Sequence, residues 1–403
     1  MSIHVPVRLG PAENSLIEQL NSLGAHAQAE RITVAGLPTR KVEAYHYTDL
    51  KQLLRAIPPL AAKAEAIGAP AFDVAGAYRI VIANGAIQTS GTAPAGVIVG
   101  SAEGSPLTTR DDVLVKLNEA LVKQTLTLTL ESSVDPVIHV DRRIEGEAGH
   151  VGSGVKIFVA DGASAVVLET FSGSDQAHVG NNATYVALGK GASLTHITLD
   201  LSSGKATHFA TNEYHLAQES KLRTLTIHVG AALSRTHLFP HFEGANAHAD
   251  LTGLNLVGNG QHADLTMEAI HGVPHTTSQP LFKSITRGRS KAVVQGKLVV
   301  ARDAQKTDAK LMSQGLMLSD DAEILSKPEL EIYADDVVCG HGSTCGKLDE
   351  DSMFYLMSRG IPQAEAETML VRGFIAELLD PVEDAALNEA LQGIVDGWLL
   401  NAK

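Results

Sequence analysis

The segment Val155–Phe171 reads VKIFVADGASAVVLETF, and Ala183–Leu201 repeats its form as ATYVALGKGASLTHITLDL. Each sets two short runs rich in Val, Ile, Leu and Thr on either side of a small turn, Asp161-Gly162-Ala163 in the first and Lys190-Gly191-Ala192 in the second. β-Branched and aliphatic side chains favour strands, and Gly beside Asp or Asn favours turns. The unit returns at Glu243-Gly244-Ala245, Asn259-Gly260, Asp303-Ala304 and Asp321-Ala322 without a strict period. No helical periodicity is sustained from about Thr125 to Val338. This recurrence fits a parallel β-helix or a large β-sandwich. The β-helix is favoured, because each inward residue there meets its equivalent one coil away, repeating Ala and Gly at corners and Val, Leu and Ile along faces. A sandwich would show more Asn-Gly hairpins and aromatic core positions.

The pattern changes on both sides of this body. Residues 1–124 read as a mixed α/β, mostly helical domain. A helix capped by Asn14 or Ser15 carries Leu16, Leu20 and Leu23 and stops at Gly24. A second short helix starts near Thr48 or Asp49. Ala77–Gln88 reads as a hairpin turning at Asn84-Gly85, and another helix runs from Asp111 or Asp112 to Lys123. Residues 125–345 form the expected β-helix core and 346–403 a C-terminal α-helical domain. There Asp349 caps one helix, Pro362 opens a second with Met369, Leu370, Phe374 and Leu378 on one face, and a third carries Leu391, Ile394, Trp398 and Leu399. The fold class is thus mainly β, with helical flanks.

The net charge of −14, from 46 acidic and 32 basic residues, repels phosphate backbones, and no dense Lys/Arg run offsets it. Nucleic acid is not an expected partner. Two cysteines do not make a disulfide framework, the first twenty residues show no secretory h-region, and no apolar run reaches the ~20 residues that span a bilayer. A cytoplasmic protein is expected. Aromatics at 4% argue against a sugar-binding cleft. No P-loop, dinucleotide fingerprint or nucleophile elbow is present.

Both cysteines fall in ADDVVCGHGSTCG, Ala334–Gly346, with His341 between Cys339 and Cys345. In a strand, Cys339 and His341 lie side by side on one face. They supply two ligands where a structural zinc site needs four, so any metal needs donors from elsewhere, such as a partner chain. The same pattern also suits a small packed cysteine beside a hydrogen-bonded histidine. Cys345 follows Gly342, where the strand is expected to end, which leaves its direction open. His237-x-x-x-His241 and His271-x-x-x-His275 have zinc-helix spacing, but Pro240 and Pro274 interrupt them and polar strand positions are the simpler reading. The doublets Asp320-Asp321 and Asp335-Asp336 could serve a β-helical polysaccharide lyase or hydrolase, yet Asp at such places more often closes a turn.

The block GKLVVARDAQKTDAKLMSQGLMLSDDAEILSKPELEIYADDVVCGHGSTCGKLDEDSMFYLMSRGI, followed by MLVRGF, resembles the SufB/SufD family of iron–sulfur cluster assembly proteins. HGVPHTTSQPLFKSI (His271–Ile285) looks like the family's earlier β-helix motif. GLPTRKVEAYHYTDL (Gly36–Leu50) looks like the N-terminal signature of the SufD branch, with Tyr45 where an aromatic, often tryptophan, is usual. The resemblance implies a right-handed parallel β-helix between helical terminal domains, and a non-enzymatic scaffold that pairs with a SufB-like subunit through the β-helix and binds a SufC-like ABC ATPase through its C-terminal helices. A homodimer is a further possibility for the isolated chain. It also implies that Cys339 and His341 act as ligands of a transient iron–sulfur cluster built at the subunit interface. Cys345 stands where the family more often has an apolar residue, and receives no role. A homodimeric ATPase-binding protein without cluster chemistry is the remaining alternative.

Overall fold

The computed structural model describes residues 8–89, 91–258 and 260–400. Asn259, half of one expected turn, lies outside them. The first helices are α1 (Pro11–Ser22), α2 (His26–Ala35) and α3 (Leu50–Leu53), followed by β1 (Tyr78–Ala83), β2 (Ala86–Thr89), β3 (Val97–Glu103) and α4 (Val113–Leu121). Helix α1 begins earlier than Asn14, because Pro11 suits a first turn and the Glu13 carboxylate accepts the Gly10 N–H at 2.6 Å. Asp49 and Asp112 cap α3 and α4, as read from the sequence. Strands β1 and β2 form the expected hairpin, with Asn84 and Gly85 at φ 47° and 78°, the left-handed region its tight turn requires.

From residue 124 the chain winds through β4 (Gln124–Leu130), β5 (Ile138–Ile144), β6 (His150–Val159), β7 (Ser164–Gly173), β8 (Val179–Leu188), β9 (Ser193–Asp200), β10 (Thr207–Leu216), β11 (Lys221–His228) and β12 (Leu233–Phe242). It continues through β13 (His248–Val257), β14 (His262–His271), β15 (Thr277–Ser278), β16 (Leu281–Thr286), β17 (Lys291–Val300), β18 (Asp308–Met317), β19 (Glu323–Ile332) and β20 (Val338–Gly346). Alternate strands pair in parallel, which makes a β-solenoid of about 8 turns. A nine-stranded sheet runs from β3 through β4, β6, β8, β10, β12, β14 and β17 to β19. An eleven-stranded sheet runs from β2 through β1, β5, β7, β9, β11, β13, β15, β16 and β18 to β20.

Backbone angle explains some of the small turns, with Gly162, Gly191 and Gly260 at φ 68°, 64° and 81°, and stacking explains another. At Gly244 an added Cβ would stand 1.9 Å from the backbone nitrogen of Gln218 in the coil before, so successive turns touch. Gly244→Val is expected to lower stability by about 1–3 kcal/mol, the range for overpacking. Chemical denaturation measures it, and an unchanged midpoint contradicts the close approach.

The space between the sheets has two halves. Leu126, Leu128, Val155, Val167, Val186, Leu194, Leu238 and Leu251 fill an apolar half. The other half is polar, with Arg142, Glu169, His196, His208, His228 and Asn255 all buried. Arg142 is ion-paired with Glu169, which accepts from Thr184 Oγ1 and meets His196 Nε2, each at 2.9 Å. The far nitrogen of His196 lies 2.9 Å from the Tyr214 hydroxyl. Burial pushes the Glu169 carboxyl up, but Arg142, His196 and Thr184 outweigh it and hold it near 2.

Helices cover both outer faces. Leu16, Leu20, Ile32 and Leu37 pack with Leu114 and Leu117 against Phe209 and Leu233 of the nine-stranded sheet. The C-terminal helices are α5 (Glu350–Ser358), α6 (Gln363–Leu379) and α7 (Ala385–Leu400). Asp349 caps α5 through the Ser352 N–H at 2.7 Å. Val371, Ile375 and Leu378 of α6, with Leu387, Leu391 and Val395 of α7, lie on Leu168, Ile197, Leu225, Leu254 and Ile285 of the eleven-stranded sheet. Met369, expected on the packed face, is exposed; the stripe is instead centred on Val371, Ile375 and Leu379. No described helix is long and apolar enough to cross a membrane.

Candidate functional site

Strand β20 closes the solenoid. It pairs only with β18 among the described residues, just as β19 pairs only with β17, so each sheet ends in an unsatisfied edge. The strand runs through Gly342 to Gly346, longer than the glycines suggested. Period-two alternation therefore sets Cys339, His341, Ser343 and Cys345 on one side. Their ladder neighbours are Ala309, Leu311, Ser313 and Gly315, and three of these are in the buried set of the core. The row thus faces the inside of the coil. Cys339 packs against Val300, Ala304 and Ala334, and the Cys345 sulfur lies 3.2 Å from where a Cβ on Gly315 would stand.

This inward row is nonetheless open to solvent. Cys339 is half-buried, whereas His341 and Cys345 are exposed, because no further coil covers them. Ile332, Tyr333 and Val338 add exposed apolar surface at the same end. Burial pushes the thiols of Cys339 and Cys345 up; near Cys339 the Asp308 carboxylate adds to this and a backbone hydrogen bond from Ala309 opposes it. Both thiols stay protonated near neutral pH in the isolated chain. A ligand to metal must be a thiolate, so an ion or a second chain has to supply the missing stabilisation.

The end coil also falls inside a recognisable stretch of sequence. Residues 143–374 match the family model described as SUF system FeS cluster assembly, SufBD core domain. The chain belongs to the SufB/SufD family. It is 28% identical over 386 residues to the iron-sulfur cluster assembly protein SufD of Escherichia coli, covering 91% of this chain and 90% of that one. It is 33% identical over 220 residues to an iron-sulfur cluster assembly SufBD family protein of Synechocystis, covering 55% of this chain and 49% of the relative. A chloroplastic protein of Arabidopsis thaliana is 29% identical over 61% of this chain. Similarity to a SufD along nearly the full length marks the chain as SufD-type.

The SufD-like signature Gly36–Leu50 has a structural use. Tyr45 is buried, donates its hydroxyl to Asp112 at 2.8 Å, and lies under the Arg235 guanidinium at 4.5 Å. Arg235 is ion-paired with Asp264 and donates to the Ala44 carbonyl at 2.7 Å. Thr48 joins through His262 at 2.9 Å. The segment therefore clamps the N-terminal helices to β12 and β14. Arg235→Ala leaves Asp264 buried and unpaired, and should cost about 3–5 kcal/mol. Thermal melting checks this; a loss under 1 kcal/mol would contradict a working clamp.

The remaining candidates fall elsewhere. His237 is buried with its ring 3.8 Å from Phe239, and His271 is buried against Phe242 with hydrogen bonds to Thr276 and Ser278 at 2.8 and 3.0 Å. His275 occupies a turn with φ 60°, so the His271 and His275 pair does not converge. Asp320 and Asp336 lie in exposed turns, paired with Lys347 and Lys306. They close corners, as Asp does, and form no cleft of paired carboxylates. The interior Arg142 and Glu169 network escaped the sequence reading, because charged residues inside a strand pattern look like a solvated face.

Proposed function

We propose that this chain is a non-catalytic, SufD-like scaffold subunit of a cytoplasmic iron–sulfur cluster assembly complex. Its open end coil pairs with a SufB-like subunit, and Cys339 and His341 hold part of a nascent cluster that is the complex's cargo. The observation that carries this is the inward row on β20, left uncovered beside two unsatisfied strand edges and exposed Ile332, Tyr333 and Val338. Two donors cannot complete a cluster, so the reading requires a second chain at this end.

The C-terminal helices supply the dock for a SufC-like ABC ATPase. Helices α6 and α7 spend their apolar faces on the sheet, whereas α5 buries none of its residues and exposes Phe354, Tyr355 and Met357. Exposed aromatic and Met side chains are the usual anchors of a partner surface.

The test is anaerobic reconstitution of the complex with Cys339→Ala and with His341→Ala. Each variant should keep the parent melting temperature, because both side chains lie on an open coil, and each should lower the iron–sulfur absorption at least fivefold. Unchanged cluster yield in both would favour a homodimeric ATPase-binding protein without cluster chemistry.

A further inference from the structure

We propose that Glu213, His215 and His241 form a binding site for a divalent transition-metal ion, separate from the open end coil. Glu213 and His215 are two residues apart on β10, so both point out of the nine-stranded sheet. In the parallel ladder His241 of β12 lies directly beside His215. The three ligand atoms all lie within 4.8 Å of one another. Glu213 Oε1 is 3.1 Å from His215 Nε2 and 3.7 Å from His241 Nε2. The two imidazoles are stacked, with centroids 4.9 Å apart and planes 8° apart. Of the His237 and His241 pair noticed in the sequence only His241 takes part; the other histidine, His215, comes from the neighbouring coil.

Three further observations point to a cation here. Glu213 Oε2 is buried and has no hydrogen-bond partner. His215 Nδ1 is 2.7 Å from Glu243 Oε1, the carboxylate–histidine arrangement that orients an imidazole and leaves Nε2 for a metal. Arg110 already places a positive group at this spot: its Nη2 donates to His241 Nε2 at 3.1 Å, and its Nε is 3.5 Å from Glu213 Oε2. The His241 lone pair is thus aimed into the cluster. Arg110 lies in the irregular segment ahead of α4 and stacks on Phe239, 3.2 Å from the ring centroid, so ion and guanidinium compete for one position. On metal uptake the proton between His215 Nε2 and Glu213 goes to solvent and Arg110 moves aside. Two imidazoles and one carboxylate suit Zn²⁺, Fe²⁺ or Co²⁺ and leave open positions for water; they do not suit Ca²⁺ or Mg²⁺.

The test is titration of the full chain with Co²⁺ alone, followed by its visible absorption, and with Zn²⁺ by calorimetry. One equivalent should bind. His215→Ala and His241→Ala should each weaken it at least tenfold, Glu243→Gln about tenfold, and Arg110→Ala should tighten it. His241→Gln replaces the alanine variant if that one does not fold. Cys339→Ala and His341→Ala should leave this binding unchanged. Absence of stoichiometric binding, or binding that survives the His215 and His241 substitutions together, overturns the proposal. So does binding that disappears with Cys339→Ala.

Discussion

A chain lacking residues 363–400 is expected to be lost from the soluble fraction, and not merely to lose a partner. Helices α6 and α7 cover Leu168, Ile197, Leu199, Leu225, Ile227, Leu254, Leu256 and Ile285, which line up along the outer face of the eleven-stranded sheet. Burying one such side chain contributes about 1.5–3 kcal/mol. Uncovering the row would remove more than the ~5–15 kcal/mol by which domains are commonly stable, and would leave an apolar patch far above what monomers expose. Truncation therefore cannot test the proposed ATPase dock. The double variant Phe354→Ala with Tyr355→Ala can, since both side chains are 57% exposed or more. It should keep the parent melting temperature and weaken binding of the SufC-like ATPase at least tenfold. A soluble, cooperatively melting truncation contradicts the packing; undiminished ATPase binding by the double variant contradicts the dock.

Acid should unfold the protein well above the pH at which its carboxylates titrate. Burial pushes His139, His150 and His262 down to about 4 and His271 to about 3. It also lowers His208 and His228, where the Asp200 carboxylate opposes it. In the unfolded chain these imidazoles take up protons near pH 6.5. The unfolded state therefore binds more protons than the folded one as pH drops below that value. Stability is full above about pH 6.5 and falls steadily toward pH 4, by about 1.4 kcal/mol for each pKa unit at each group. Glu169 adds a later loss, below about pH 4.3, as the pH approaches its folded value near 2. Melting temperature against pH reads this directly. A flat profile from pH 7 to 4.5 contradicts neutral, buried histidines.

The outline of the fold was legible for a local reason. A turn such as Asp161-Gly162-Ala163 needs Gly162 for its φ of 68° and buries Ala163 in the stack, so each coil's corner leaves a mark in composition. The hairpin at Asn84-Gly85 and the Asp49, Asp112 and Asp349 caps were equally local. The polar half of the interior was not legible. Both faces of most strands are buried, one by the opposite sheet and one by helices, so in–out alternation fades. Arg142 and Glu169 then look no different from surface charges, although they are 3% and 0% exposed. At the end coil, Cys339 and His341 could be set on one face by strand periodicity, but the inward direction of that face could not. It depends on β18 being the ladder partner, with Leu311 beside His341. Cys345 joined the row for the same reason: the glycines in VCGHGSTCG alternate onto the outer side, where only Gly342 has a close neighbour, Met312, and they do not end the strand.

The proposed function needs the end coil to be a surface that another β-helical subunit covers. Val338, 58% exposed at the start of β20, can carry a photo-crosslinking benzoylphenylalanine without disturbing the inward row. Irradiation of the assembled complex should join this position to the SufB-like subunit, in a product that mass spectrometry maps to that subunit's β-helix. Crosslinking only to the ATPase, or no intersubunit product from a fully assembled complex, would contradict it.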